Sequence, residues 1–373
     1  MNSASPDFRR PIDRWLLFFA VLLLTVGMVW VYSASAFKNP TMQTYFLTRQ
    51  LVGGSVGFAI MLVLSQVDLT VLRDNPRPMQ IIYGLIVLAL VLVFFFPAKN
   101  HAHRWIQFGS QSLQPSELFK PLSVMICAWW MLHFKDAWVK RQDAIPKLVL
   151  LCLVLLLPLG LMVAEPDFGT TFLITLVALL VVFLGGAPRW IFVGGMPILG
   201  ALGAAFVWFE PYRRARVLSF LHPEADPLGK GLQAIQSLIA VGNGGVTGVG
   251  LGGSMQKLNY LPEAHNDFIY AVISEEAGLV GSLVVLVLFI GILWRGYRIA
   301  RHVRDGYLKL CAMGFTLLLV VQAFMNISVV LSLAPNKGIP LPFISYGSSS
   351  LIASMACLGL LLAISKETGE GAR

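Results

Sequence analysis

Long apolar runs, separated by short polar connections, are the dominant pattern of the chain. An α-helix rises about 1.5 Å per residue, so a run of roughly 20 apolar residues is long enough to cross the hydrocarbon core of a membrane. Ten runs near this length predict ten helices, at residues 15–33, 46–65, 80–97, 115–134, 146–164, 169–187, 189–208, 267–294, 307–333 and 343–365. The expected fold is therefore all-α: a polytopic integral membrane protein with about ten transmembrane helices and one long outer loop.

The polar connections define the expected domain organisation. Residues 1–373 are predicted to form a single transmembrane domain, with an N-terminal tail at 1–14 and a C-terminal tail at 366–373. The connection at 209–266 is the only long one, and its 58 residues include too few core-forming side chains for a separate domain. Loops of this length are usually functional or disordered, and both interpretations stay open for it.

The distribution of Lys and Arg predicts that both termini are cytoplasmic. Ten helices place both ends of the chain on one side, and cytoplasmic segments carry an excess of Lys and Arg. With the N-terminus inside, 17 of the 28 Lys and Arg residues lie in inner segments. Arg9, Arg10 and Arg14 could also begin a cleaved signal peptide. The apolar run that follows them is longer than the roughly 7–15 residues of a signal sequence, so an uncleaved first helix is favoured.

Composition supports the membrane assignment and limits the partners. Hydrophobic residues make up 57% of the chain and charged residues only 13%, which is unlike a soluble globular protein of this length. We interpret the net charge of +9 as cytoplasmic anchoring to anionic lipid, and nucleic-acid binding is not expected. The four cysteines lie in apolar runs without ligand spacing, so we assign them to packing, with no disulfide and no metal site.

The entrance to the predicted helix at 267–294 carries the strongest candidate chemistry. Glu263 and Asp267 precede the helix, and Glu275 and Glu276 follow inside it. Charge within a membrane segment is a functional-site hypothesis by default, because its desolvation is costly. A helix N-terminus stabilises the ionised form of Asp267, whereas burial raises its pKa. The sequence leaves open which effect is larger.

A second candidate site lies at the start of the helix predicted at 115–134. Pro115 suits the first helical turn and Ser116 can cap it. Glu117 and Lys120 are three residues apart, on one helix face, so they can form an ion pair. Such a pair could be an internal structural contact, or Lys120 and Arg104 could face an outer cavity and attract an anion.

Three further segments are interpreted from their local patterns. In the turn Glu165-Pro166-Asp167-Phe168-Gly169, the proline and the glycine explain the turn, and the carboxylates are not needed for it. The glycine-rich segment 242–253 predicts a hinge or a close approach of backbones, and it lacks the Lys-Ser/Thr ending of a nucleotide-binding P-loop. The basic and apolar segment 212–223 suits a lipid interface, where its arginines reach lipid headgroups or contact a substrate phosphate. These arginines are Arg213, Arg214 and Arg216.

Six motifs together resemble the SEDS (shape, elongation, division and sporulation) family over most of the chain. They are Gln114–Lys120, Glu165–Thr170, Gln236–Gly245, Leu261–Phe268, Glu275–Gly278 and Lys337–Gly347. The sequence Leu261-Pro-Glu-Ala-His265, preceded by Gly253–Lys257, is more similar to the division branch of the family than to its elongation branch. Asn266, Asn336 and Ser348 depart from the family pattern, in which threonine, threonine and glycine are usual.

The resemblance implies an enzyme that polymerises lipid II into glycan strands at the outer face of the cytoplasmic membrane during septal wall synthesis. Asp267 matches the essential aspartate of the family, and we hypothesise that it is the general base. The resemblance also indicates residues that bind the substrate and its pyrophosphate, with Glu117 orienting Lys120. They are Arg104, Glu117, Lys120, Arg213, Arg214, Arg216, His265, Lys337 and Ser345. Glu275 and Glu276 are predicted to be structural and to pair with polar groups on neighbouring helices.

The same resemblance implies lipid II as substrate, a class B penicillin-binding transpeptidase as partner and other divisome membrane proteins as further partners. No protein metal site is predicted, although a divalent cation, Mg²⁺ or Mn²⁺, could assist the leaving group. Two other functions fit the same charges. A lipid II flippase would line a translocation path with them, and a non-catalytic divisome scaffold would need no base.

Overall fold

The computed structural model describes residues 12–35, 40–97, 102–108, 111–140, 143–227, 229, 231–258, 260–336 and 338–368. These residues form fourteen α-helices and one short hairpin, in which β1 (Ile106–Phe108) pairs antiparallel with β2 (Gln111–Leu113). The helices are α1 (Arg14–Ser35), α2 (Pro40–Leu64), α3 (Thr70–Asp74), α4 (Arg77–Leu92), α5 (Pro115–His133), α6 (Lys135–Lys140), α7 (Ala144–Ala164), α8 (Phe168–Leu184), α9 (Arg189–Trp208), α10 (Pro211–Leu221), α11 (Leu232–Gly244), α12 (Ile269–His302), α13 (Gly306–Val330) and α14 (Ser348–Lys366).

All ten predicted apolar segments form helices, and the all-α polytopic fold is confirmed. In the part of the chain that the structure describes, seven helices are long and apolar enough to cross a membrane: α1, α2, α4, α7, α12, α13 and α14. Helix α8 is shorter, at 17 residues, and α5 carries Glu117 and Lys120 within an otherwise apolar helix. The predicted start of the last helix at residue 343 is wrong, because α14 begins at Ser348, after Gly347. Phe343 has a φ of 65° and Gly347 a φ of 153°, and neither value belongs to a right-handed helix.

The first and last described helices meet at one end of the bundle. The Asp13 carboxylate, just before α1, forms a buried ion pair with Arg295 of α12, with 2.9 Å between the Arg295 Nε and an Asp13 oxygen. The backbone amide of Asp13 donates to the Ser365 hydroxyl of α14 at 3.2 Å. Arg73 and Asp305 pair near the ends of two other helices. Both ends of the described chain are therefore on the same side of the bundle.

Helix α13 lies at the centre of the packing. It contacts α5, α8, α12 and α14, and with α14 it is the most enclosed of the spanning helices, whereas most of α7 is exposed. Small residues allow close approach: Gly314 of α13 packs against Val124 of α5, and Gly296 of α12 packs against Thr316 of α13. Packing of this kind is the main source of helix association in lipid. Polar side chains on α13 are consequently surrounded by other helices.

The connection at 209–266 contains regular structure of its own, namely helices α10 and α11. Helix α11 packs against α12. The following glycine-rich segment approaches α12 where that helix is interrupted at Gly278, whose φ is 63°. There the amide of Val249 donates to the Glu275 carbonyl at 3.0 Å, and the amide of Leu279 donates to the Gly245 carbonyl at 2.9 Å. The break in α12 is thus satisfied by backbone from another segment, as buried polar groups require.

Glycine is necessary where these two backbones meet. A Cβ atom on Gly248 would lie 2.1 Å from the Glu276 carbonyl oxygen, and the residue has a φ of 80°. A Cβ atom on Gly244 would lie 1.9 Å from the Ser274 carbonyl oxygen. The close-approach interpretation of segment 242–253 is confirmed.

The cysteines all have free thiols. Cys127, Cys311 and Cys357 are buried, which confirms their assignment to packing. Cys152 is exposed on α7, so the same prediction is wrong for this residue. Its position follows from the large exposed surface of α7.

We expect the substitution Gly248→Ala to destabilise the protein, because it adds a Cβ atom against the Glu276 carbonyl at a positive φ. A non-glycine residue in this backbone region costs about 1–3 kcal/mol before any clash is counted. Thermal unfolding in detergent measures the effect. Gly84→Ala is the matched control, because a Cβ atom there would meet no atom within 4 Å and alanine favours the helix by up to about 1 kcal/mol. Equal melting temperatures for the two variants would contradict the close approach.

Candidate functional site

Asp267 lies in a turn just before α12, at the end of the bundle opposite Asp13 and Ser365. Helix α12 begins after Phe268 without a side-chain cap. The backbone carbonyl of Asp267 accepts a hydrogen bond from the Asn326 side chain at 2.7 Å. A Cβ atom on Gly338 would lie 3.1 Å from an Asp267 carboxylate oxygen. Asp267 is half-buried, so part of its surface is open to solvent.

Burial dominates the electrostatics of this carboxylate and raises the pKa of Asp267 from 3.8 to about 7. The charges of Glu263 and Asp167 raise the pKa further, and Arg104 and Arg216 oppose the rise. Desolvation therefore outweighs the stabilisation expected from the helix end, a question that the sequence left open. A carboxylate with a pKa near neutrality is suited to accept a proton at physiological pH.

Arg104 connects the Asp267 region to the turn between α7 and α8. Its guanidinium donates to the backbone carbonyl of Glu165 at 3.2 Å and also to that of Pro166. The side chain is only partly buried, and its charge lowers the pKa of Asp267. Arg104 therefore keeps a positive charge beside the carboxylate while it holds the turn.

The carboxylates of this turn have definite positions in the structure. Asp167 is buried and accepts hydrogen bonds from Ser116 at 2.9 Å and from Gln114 at 3.0 Å. Ser116 thus binds the start of α8 instead of capping α5 as predicted. Glu165 is fully buried, and neither of its carboxyl oxygens accepts a hydrogen bond from any residue that the structure describes. Burial raises the pKa of Glu165 to about 8, and the charge of Asp167 adds to the rise.

Glu117 and Lys120 form the predicted ion pair inside the bundle. The Lys120 Nζ lies 2.7 Å from both Glu117 oxygens, and both side chains are almost fully buried. The same Nζ donates to the Gln322 side-chain oxygen at 2.9 Å. Gln322 in turn donates to the Pro340 carbonyl at 2.8 Å. This geometry favours the internal-contact interpretation of the pair over an anion site at an outer cavity.

The candidate arginines of α10 differ in their surroundings. Arg214 is exposed and stacks over Trp208, with 5.8 Å between its guanidinium carbon and the ring centroid. Arg216 is exposed as well, and its charge lowers the pKa of Asp267. Arg213 lies in α10, but its side chain is outside the described part of the structure, and Lys337 lies wholly outside it. Among these four candidates, Arg216 has the described link to Asp267.

His265 and Ser345 support the backbone around Asp267. The buried His265 ring packs on Phe46 of α2 with 4.7 Å between ring centroids, and its carbonyl accepts from the Tyr346 amide at 3.1 Å. The Ser345 hydroxyl donates to the Asn266 carbonyl at 2.7 Å and accepts from the Leu341 amide at 2.8 Å. Both predicted substrate-binding residues therefore lie beside Asp267, within packed structure.

Glu275 and Glu276 are buried and fully paired. Glu276 accepts from Ser33 of α1 at 2.7 Å and forms an ion pair with Lys257 at 2.9 Å, which confirms the predicted contact with a neighbouring helix. Glu275 accepts from the Ser254 hydroxyl and from the Met255 amide at 3.4 Å. Its partners are in the loop before α12, so the predicted helix partner is wrong for this residue. The loop folds back on the helix at the interruption described above.

The described residues include no group of three His, Cys, Asp or Glu side chains that could hold a metal ion. The acidic residues near Asp267 are distributed over separate elements, and Asp167 is already bound by Ser116 and Gln114. A protein ligand set for Mg²⁺ or Mn²⁺ is therefore not assigned within this part of the chain. The cation stays an expectation.

Four residues of the site were not identified from the sequence: Glu165, Asp167, Gln322 and Asn326. Pro166 and Gly169 were sufficient to explain the turn, so the two carboxylates at this helix entrance were left without a role. Gln322 and Asn326 are polar residues four positions apart in an apolar helix, and they therefore share one face. This spacing was the available signal, because buried polar groups in a membrane helix require partners.

A family model described as cell cycle protein, covering FtsW, RodA and SpoVE, matches residues 14–370. Two relatives have similar sequences over nearly their whole lengths. A probable peptidoglycan glycosyltransferase FtsW from Geobacter sulfurreducens is 40% identical over 363 residues, covering 95% of each protein. The stage V sporulation protein E of Bacillus subtilis is 36% identical over 361 residues, covering 95% of this chain and 97% of the relative.

Solved structures extend this similarity to three dimensions. A chain from a peptidoglycan synthase complex that polymerises and crosslinks matches with a TM-score of 0.79 and 30% identity, over 96% of this chain and 98% of that one. The rod shape determining protein RodA of Thermus thermophilus matches with a TM-score of 0.68 and 27% identity, over 95% of this chain and 96% of that one.

We expect Lys120→Met to destabilise the protein far more than the double substitution Glu117→Leu with Lys120→Met. The single change leaves the Glu117 charge buried without its partner, which costs about 3–5 kcal/mol. The double change replaces a buried ion pair with apolar side chains, which is often neutral. Thermal unfolding of both variants in detergent tests this. A single variant as stable as the double one would show that the pair is not structural.

Proposed function

The chain belongs to the FtsW/RodA/SpoVE family of cell cycle proteins, and from this membership and the Asp267 site we propose that it polymerises lipid II. The protein is a peptidoglycan glycosyltransferase, the activity named for its 40% identical relatives. It is a multi-pass membrane protein. Asp267 is the proposed general base, and nearby arginines are proposed to stabilise the pyrophosphate that leaves.

The reaction requires one proton transfer and one charged leaving group. The 4-hydroxyl oxygen of the acceptor sugar forms a bond to the anomeric carbon of the donor, and the bond from that carbon to undecaprenyl pyrophosphate breaks. Asp267 accepts the hydroxyl proton, and the leaving pyrophosphate carries away the bonding electron pair. A positioned base accelerates such a step by about 10²–10⁴-fold, and cations stabilise the developing negative charge.

The single observation that carries the assignment is a half-buried carboxylate with a pKa of about 7, on which the charges of two arginines act. Arg104 comes from the segment before β1 and Arg216 from α10, so the positive charge approaches Asp267 from two elements. Their positive charge supports a pyrophosphate site near the base. Glu117 and Lys120 contribute through the packing of the bundle, since they are buried and paired with each other.

The orientation and the partners are proposed on similar grounds. Asp267 lies at the bundle end opposite Asp13 and Ser365, and the Lys and Arg distribution assigns the chain ends to the cytoplasm. The active site would then face outward, where septal wall synthesis takes place. The similarity to a chain of a peptidoglycan synthase complex supports a penicillin-binding transpeptidase partner. We propose a class B enzyme, together with other divisome membrane proteins.

We expect Asp267→Asn to reduce lipid II polymerisation by about 10²–10⁴-fold, because an amide of nearly the same shape cannot accept the proton. The assay incubates the purified protein with lipid II, with and without its transpeptidase partner, and measures the glycan strands formed. Thr316→Val is the matched control, because Thr316 bonds only within α13 among its described contacts. Full activity of Asp267→Asn would refute the assignment. If the Asp267→Asn variant still scrambles lipid II in vesicles, a flippase is favoured instead. If cells that carry this variant divide normally, a scaffold is favoured.

We expect the polymerisation rate to fall as the pH drops below about 7, because the base must be ionised and the pKa of Asp267 is raised to about 7. An aspartate at its ordinary value of 3.8 would give a flat profile down to about pH 5. Glu263→Gln should move this acid limb to lower pH, since the Glu263 charge helps to raise the pKa. Rates measured from pH 5 to pH 9 in both proteins test the assignment. An acid limb that Glu263→Gln leaves unmoved would contradict it.

A further inference from the structure

The segment 338–341 forms one wall of the Asp267 site and lies outside the helices and strands of the described structure. Pro340 and Pro342 have no amide hydrogens, and Gly338 has a φ of 59°. The carbonyls of this segment therefore need partners from elsewhere. Two side chains of α13 supply them for two carbonyls: Asn326 donates to the Ile339 carbonyl, and Gln322 donates to the Pro340 carbonyl. The Ser345 hydroxyl accepts from the Leu341 amide.

Asn326 is the member of this set that also holds Asp267. Its Nδ2 donates to the Asp267 carbonyl and to the Ile339 carbonyl, both at 2.7 Å. The two hydrogens of one amide group are thus shared between two separate segments of backbone. The side chain is buried, at 1% exposure, so water does not compete for these bonds. Asn326 fixes the distance between the turn before α12 and the wall opposite it.

This distance determines the surroundings of the reacting group. Gly338 brings the wall close to the carboxylate, because a Cβ atom on it would lie 3.1 Å from an Asp267 carboxylate oxygen. The hydrogen bond from Asn326 to the Ile339 carbonyl is one residue away from Gly338, so it holds Gly338 close to the carboxylate. A wall at this distance excludes water from one side of Asp267, and desolvation is the largest cause of its raised pKa.

The Glu117–Lys120 pair extends the same support across the bundle. Lys120 holds the Gln322 side-chain oxygen at 2.9 Å, and this fixes the Gln322 amide toward Pro340. Gln322 lies one helical turn before Asn326 on the same face of α13. A series of hydrogen bonds therefore connects Glu117 through Lys120 and Gln322 to the 338–341 wall. Asn326 connects this wall to Asp267.

We propose that Asn326 is a positioning residue of the polymerisation reaction, which clamps Asp267 to the 338–341 wall, and that Lys120 acts on the site through Gln322. This inference rests on the proposed function. It gives the buried pair a role in catalysis that does not require Lys120 to touch the substrate. A misplacement of about 1 Å by a change away from the reacting atoms can lower a rate by roughly 10²-fold.

The test compares Asn326→Ala with Thr316→Val, which alters a buried hydroxyl of α13 that bonds to its own helix. We expect Asn326→Ala to lower kcat on the order of 10²-fold with little change in the KM for lipid II. The acid limb of its pH profile should move toward the ordinary aspartate value, because water reaches the carboxylate once the wall is loose. Thr316→Val should leave both unchanged.

The pH profile distinguishes a positioning role of Asn326 from a loss of folded protein. Loss of folded protein lowers the amount of active enzyme but does not move the acid limb of the profile. Four charged groups also act on Asp267 and stay unaltered in both variants: Glu263 of the same turn, Arg104 before β1, Asp167 between α7 and α8, and Arg216 of α10. If Asn326→Ala does not fold, Asn326→Ser retains one donor and should give an intermediate kcat and an intermediate limb.

The outcomes separate this inference from the function on which it rests. Wild-type protein that forms no glycan strands in the presence of its partner would refute the proposed function itself. Active wild-type protein together with a folded Asn326 variant of normal kcat, or of lowered kcat with an unmoved acid limb, would overturn the positioning role. Gln322→Leu should reproduce the Asn326→Ala limb shift at smaller amplitude, and a wild-type profile in that variant would overturn the role of Lys120.

Discussion

The requirement to satisfy backbone groups next to prolines organises the site. Pro340 and Pro342 prevent the 338–341 segment from forming a helix or a ladder, so its polar groups bond to side chains of α13 and to Ser345. These side chains can reach the segment only because α13 is central and enclosed by α5, α8, α12 and α14. Asp267 is thus tied to α13 through the Asn326 side chain.

Buried charged side chains elsewhere in the bundle also have partners. Asp13 with Arg295, Glu117 with Lys120 and Glu276 with Lys257 are each paired inside the protein. An isolated charge in such surroundings is strongly unfavourable, so each pair is retained or replaced as a unit. Asp267 and Glu165 differ from these pairs, since each has a pKa raised by burial. The contrast separates carboxylates that hold helices together from carboxylates that can take up a proton near neutral pH.

The interruption of α12 at Gly278 is a second place where backbone is satisfied by another segment. Residues 245–250 supply the bonds that the helix loses there, and glycines at positions 244 and 248 allow the approach. Glu275 and Glu276 flank this contact and bind the loop and α1. The glycine-rich segment therefore fixes α12 at its interruption, and the Asn326 amide fixes the turn that carries Asp267.

The sequence by itself determined the helices, because runs of about 20 apolar residues have few alternatives to a membrane helix. It also indicated Asp267, the Glu117–Lys120 pair and the close approach at 242–253, since charge in apolar runs and clustered glycines are visible without a structure. It did not indicate Asn326, Gln322 or Glu165, whose roles depend on residues far away in the chain. Only the tertiary structure decided that Lys120 faces Gln322, that Glu275 binds a loop, and that desolvation outweighs the helix end at Asp267. Each of these depends on distances between separate segments, and hydrophobic patterns along a chain contain no such distances.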